Sequence, residues 1–174
     1  MHFDGQALSW GNAENISNNN TNSNRADLAK DSQGKIYAVW LDGVTTSPVD
    51  CSVSGDYRMR FNKRTAAGAW QVEERLNQTT SPNVPEIAVT GNNTVHIVYF
   101  DGQAGGMRSI SSNGNGWSNP IPVLDSMANG GDLTAGTNNS LHYVYFSWYA
   151  PPEGQGRQRV MYMSFDGNQW GQPV

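Results

Sequence analysis

The side chains best suited to chemistry in this 174-residue chain recur in step with one another. Three carboxylates each stand fourth in the motif N-x-x-[D/E]-[L/I]-[A/T]. The copies are Asn24-Arg-Ala-Asp27-Leu28-Ala29, Asn83-Val-Pro-Glu86-Ile87-Ala88 and Asn129-Gly-Gly-Asp132-Leu133-Thr134. Brought together, Asp27, Glu86 and Asp132 would accept hydrogen bonds from a hydroxyl-rich ligand or hold a cation; alternatively each caps backbone N–H groups of its own loop. Arg58, Arg108 and Arg159 follow, one per repeat. An acid and an arginine in polar surroundings suit bidentate recognition of a carboxylate or of vicinal hydroxyls, or simply form an inter-strand ion pair. Trp148 and Tyr149 precede Pro151 and Pro152 and suit stacking on a sugar face, or packing against a neighbouring unit. These eight residues are the predicted ligand-binding set. No catalytic residue, metal site or cofactor is expected: His96 and His142 are equivalent to Tyr37, which is no metal ligand, and His2 stands alone.

The elements that must position these residues are short strands. Trp70, Trp117 and Trp170 recur at intervals of about 50 residues, the size of a four-stranded repeat unit. Upstream of each lies an apolar run rich in β-branched and aromatic residues: Lys35–Gly43, Val95–Gly102 and Leu141–Ser147. Turn sequences (Asp31–Gly34, Thr90–Asn93, Gly136–Asn139) separate each run from the motif before it, as a hairpin requires. Third strands are predicted around Tyr57–Phe61, Met107–Ile110 and Arg159–Ser164, and a fourth from each Trp onward. Trp40, Tyr99 and Tyr145 share one position and are assigned to packing between units. The units span 24–78, 82–125 and 129–174, and residues 1–17 repeat the end of a unit, Met1-His-Phe-Asp-Gly5 paralleling Met163-Ser-Phe-Asp-Gly167.

The segments ending at each Trp resemble the Asp-box of sialidase-like, bacterial-neuraminidase-repeat β-propellers, S-x-D-x-G-x-x-W. Ser164-Phe-Asp166-Gly167-Asn-Gln-Trp170 is nearest, Ser111-Ser-Asn113-Gly114-Asn-Gly116-Trp117 carries Asn for Asp, and the first copy keeps little beyond Gly68 and Trp70. The resemblance implies an all-β propeller whose binding face carries the loops entering each first strand and joining second to third. It also implies three full four-stranded blades plus an N-terminal extra strand. Three blades cannot close a ring of the usual four to eight. A homodimer closing six blades, with the N-terminal strand crossing as a domain-swapped clasp, is the expected solution; a piece of a longer propeller is the rival.

A sialidase-like enzyme would need three clamping arginines, a Tyr–Glu pair and an acid/base Asp from different blades. The Arg-Ile-Pro signature is absent, and the units resemble one another where an active site would give each a different duty. The expected function is therefore a non-catalytic, multivalent, glycan-binding lectin-like propeller. The alternatives are a fragment of a glycoside hydrolase or polysaccharide lyase, and a protein–protein assembly module.

Composition narrows the partners. A net charge of −4 argues against nucleic acid, which selects a basic surface. Cys51, the only cysteine, makes no intramolecular disulfide. No window approaches the roughly 18 apolar residues of a membrane span, and the first residues lack a signal peptide's basic and apolar regions. A soluble protein, secreted or at a cell or virion surface, is expected.

Overall fold

The computed structural model describes residues 3–4, 9–43, 57–76, 82–128, 130–149 and 156–174. Cys51, Pro151, Pro152 and the side chain of Tyr149 lie outside the described residues.

The chain is all-β, in consecutive antiparallel sheets. A short pair, β1 (Phe3–Asp4) and β2 (Ser9–Trp10), comes first, with Phe3 opposite Trp10. The first large sheet runs β3 (Ser23–Lys30), β4 (Ile36–Gly43), β5 (Tyr57–Arg64), β6 (Glu74–Arg75) in simple order. The second repeats this order with β7 (Pro82–Val89), β8 (Val95–Asp101), β9 (Gly106–Ser112) and β10 (Ile121–Leu124). The third contains β11 (Gly131–Ala135), β12 (Leu141–Tyr149) and β13 (Arg157–Phe165). It departs from the expected four strands. Residues after Trp170 follow β13 through hydrogen bonds from Gly171 N to Ser164 O (2.8 Å) and between Tyr162 and Val174 (2.9 and 3.0 Å). Pro173 has no N–H to extend that ladder. At the N-terminus, where one extra strand was expected, two short strands pair with each other.

The repeat is visible in single hydrogen bonds. The residue after each tryptophan donates its N–H to the third strand: Gln71 to Lys63, Ser118 to Ser111 and Gly171 to Ser164 (3.0, 2.8 and 2.8 Å). In the last of these turns, Asp166 accepts the N–H groups of Asn168 and Gln169, which hold its carboxyl below the usual range. The opening motif is equally regular. Pairing slips between Asn24 and Asp27 on β3 and between Asn83 and Glu86 on β7, a bulge in each strand. The second motif residue is left-handed in all three copies, with φ of 49° at Arg25, 41° at Val84 and 74° at Gly130.

Side chains alternate across each strand, so every sheet has two faces to cover. One core cluster lies between the first and second sheets: Tyr37, Val39, Leu41, Met59 and Phe61 meet Ile87, Val95, Ile97, Tyr99 and Ile110. The other sets Ala88, Val98 and Met107 against Leu133, Leu141, Tyr143, Tyr145, Met163 and Phe165. Each fully buried aliphatic contributes about 1.5–3 kcal/mol. The aromatics at the Trp40 position are buried as expected, with Trp40, Tyr99 and Tyr145 at most 4% exposed.

The third sheet has no such cover on its far side. Val144 and Phe146 of β12, with Val160 and Tyr162 directly across on β13, are 37–65% exposed. The pairing makes them equivalents of Val39, Leu41, Met59 and Phe61, all buried by the sheet that follows. No described helix is long and apolar enough to cross a membrane.

Candidate functional site

The bulge in the opening motif decides where the acids go. Two residues drop out of the ladder, and the carboxylate re-enters it at the rim of the innermost strands. β7 packs between β3 and β11, so the three acids become neighbours. Asp27 Oδ1 accepts Leu28 N at 2.7 Å, and its Oδ2 accepts Ile87 N at 2.8 Å from the next sheet. Glu86 lies between the other two. Burial, then the Asp27 charge, a hydrogen bond to Asp27 and the Asp132 charge push its carboxyl up to about 8. Glu86 therefore holds its proton well above the ordinary carboxyl range, hydrogen-bonded to Asp27. Tyr143, buried just beneath, is raised as well, first by burial and then by Glu86. The three carboxyl groups lie on adjacent innermost strands; Asp27 accepts two backbone N–H groups, one of them from the next sheet, and Asp132 is exposed to solvent.

The pairing refines the arginine alignment. Arg58 lies opposite Asp42 and Arg159 opposite Ser147, which are equivalent places, but Arg108 lies opposite Tyr99, the place that Arg60 holds opposite Trp40. Arg60 forms an ion pair with Asp42 at 3.0 Å and with Glu73 at 3.4 Å. Arg108 donates to Met107 O at 3.1 Å, and its charge acts on the Tyr99 hydroxyl together with that of Asp101. Among the described residues, the buried hydroxyls of Tyr57 and Tyr99 have no hydrogen-bond partner.

Asp42 is the functional-looking residue that the sequence pattern hid. Only 2% exposed, it accepts from Ser23 Oγ (2.7 Å), Asn19 Nδ2 (2.8 Å), Trp40 Nε1 (2.9 Å) and Arg60 Nε (3.0 Å). Its place in the strand-ending pair Asp42-Gly43, repeated at Asp101-Gly102, was the available signal. Asp101 closes a turn instead, accepting the N–H groups of Gln103 and Ala104 at 3.0 Å.

Trp148 stands at the end of β12, opposite Gln158, with 61% of its surface exposed. Its indole lies against Gly156, where a Cβ would come within 2.5 Å of the ring. The glycine thus seats one side of the indole and leaves the rest open. Among the described residues, no group of three or more His, Cys, Asp or Glu is arranged to hold a metal ion.

No family model matches the chain, and no curated protein matches it. Solved structures do. A protein of unknown function from Dyadobacter fermentans is similar over 88% of this chain and 54% of that one, at 12% identity and a TM-score of 0.67. A Hadza microbial sialidase, Hz136, is similar over 85% of this chain and 36% of that one (13% identity, TM-score 0.58). A polysaccharide lyase, Uly1, is similar over 84% and 39% (14% identity, TM-score 0.54). The chain spans about half or less of each of these proteins, and the likeness is one of fold.

Proposed function

We propose that this chain is a β-propeller segment that binds carbohydrate without turning it over. The observation that carries this reading is Trp148, an open indole seated on a glycine at the rim where the first strands begin. An aromatic ring held in place buries much ligand area at low entropic cost, and its polar neighbours set orientation. Asp132, Glu86 and the arginines Arg58, Arg108 and Arg159 are the polar groups proposed for that face, with Tyr149 beside Trp148. The likeness to a sialidase and a polysaccharide lyase supports a carbohydrate ligand. A glycan array probed with the chain and with Trp148→Ala tests it: selective hits lost in the variant are expected, and hits that survive the change would exclude Trp148 as the platform.

The open face of the third sheet supports self-association. A two-fold dimer that sets Val144, Phe146, Val160 and Tyr162 against the first sheet of a second copy, its N-terminal pair crossing over, gives six sheets and buries the apolar row.

One observation favours a second reading, a fragment of a glycoside hydrolase or lyase. The Glu86 carboxyl is pushed up by burial and by Asp27 beside it, and a raised acid next to a second carboxyl group is what acid/base work on a glycosidic bond uses. Turnover of a fluorogenic glycoside or of an unsaturated-product-forming polysaccharide, abolished by Glu86→Gln, would establish that reading in place of the first.

A further inference from the structure

The repeat is broken at Ser112, beside a cavity. At the end opposite the acids, a cleft of about 410 Å³ opens between the first and second sheets. Between the second and third sheets the space matching its inner part is about 30 Å³, with a separate space of about 510 Å³ farther out between β10 and the residues around Trp170. The register explains the difference. Leu141 pairs with Phe165, and its equivalent Val95 pairs with Ser112, so a serine stands where the next unit has a phenylalanine. Phe165 fills its gap by packing on His96 (5.9 Å between centroids) and Trp170 (5.4 Å). Ser112 leaves the matching space beside Trp117 empty, within the size range of about 300–1,000 Å³ typical of small-ligand pockets.

The lining has a definite chemistry. Trp117 stands edge-on to Phe61 at 5.0 Å, and Phe61 stacks on Tyr37 at 6.1 Å, giving an aromatic wall. Lys35, Lys63, Gln71, Glu74 and Asn93 surround it with donors and acceptors, and the Arg64 charge on the same lining is met by Glu14 at 3.1 Å. Gly114 and Gly116, at φ of 99° and 109°, add no side chain of their own to the turn at the cleft mouth, where Asn113 is the polar lining residue. One apolar wall facing mixed amide, ammonium and carboxylate groups matches a ligand with an apolar face and hydroxyls around its edge. We infer that this cleft is a second binding site, for a neutral saccharide, distinct from the rim that carries Trp148. It is independent of that site, since neither its existence nor its lining involves the acids or Trp148.

The test is an NMR titration of the ¹⁵N-labelled chain with cellobiose, lactose and maltose to millimolar concentration, following the indole N–H signals. The expected result is a shift at Trp117 and at the amides of Gly114 and Gly116 with at least one sugar. Ser112→Phe, which copies the neighbouring unit, should abolish it while leaving thermal stability unchanged or raised. Should that variant not fold, Gln71→Ala, at an exposed position, should weaken binding severalfold. No movement at Trp117 with any of the three sugars, or shifts that persist unaltered in the variants, would overturn the inference. Movement confined to Trp148 would support the rim site and overturn this one.

Discussion

Replacing Glu86 with Gln should flatten the pH dependence of stability in one particular window. Glu86 keeps its proton in the folded chain up to about 8, against 4.5 for an ordinary Glu. From pH 4.5 upward the unfolded chain gives up that proton while the folded chain retains it, so stability falls as pH rises, and the loss is complete above about 8. At 1.36 kcal/mol per unit, the full displacement has a ceiling of about 5 kcal/mol, which partial exposure of Glu86 reduces to about 2–3 kcal/mol. His96 acts in the opposite direction at lower pH. Burial lowers it from 6.5 to about 4, so its contribution is present above 6.5 and is lost as pH falls toward 4. Between pH 6.5 and 8 the slope of the Glu86 effect limits its loss to about 2 kcal/mol. With a urea m-value of about 2 kcal/mol/M, the unfolding midpoint should drop by up to about 1 M across that window. Glu86→Gln keeps a donor toward Asp27 and has no proton to lose, so its midpoint should stay level. Equal slopes in the two proteins, or a wild-type midpoint that rises from pH 6.5 to 8, would refute the shared proton.

Other changes test other parts of the fold. Asp42→Ala strips a buried carboxylate from four donors, Arg60 among them, and should cost about 3–5 kcal/mol by chemical denaturation. Gly106→Ala would set a Cβ against Leu124 O, and urea melts should show a loss of about 1–3 kcal/mol from the strained β9–β10 pairing. Arg25→Gly removes the strain of a left-handed arginine at an exposed site and should raise stability by about 0.5–1 kcal/mol. Light scattering should give a mass about twice the 19.0 kDa of one chain, falling to that of the monomer in Val144→Lys/Val160→Lys; a wild-type monomer would remove the dimer.

Much of the fold could be read from the chain because the repeat is written in residues that have local work. The motif around Asp27 and Glu86 marks a bulge, the turn sequences mark hairpins, and each tryptophan marks a fixed hydrogen bond to the third strand. The site was less legible where its meaning depends on a neighbour in space. Asp42 reads as the first half of a turn, and only the packing of Asn19, Ser23, Trp40 and Arg60 around it shows a buried polar hub. Ser112 reads as an unremarkable polar residue. Its consequence appears only beside Phe165, once β8–β9 and β12–β13 are laid over each other in register. The arginines followed the same rule: Arg60 and Arg108 share a position, which counting residues from the motif does not reveal.

The hydrogen bond from Ile87 N to Asp27 has a mechanical meaning as well. It pins adjacent innermost strands at one point, while the spaces farther out stay unfilled: about 410 Å³ beside β6 and about 510 Å³ between β10 and the residues around Trp170. The sheets are mounted like the ribs of a hand fan, riveted near the handle and spread by whatever lies between them. Exchanging Ser112 and Phe165 would then exchange the filling of the two outer gaps without touching the rivet.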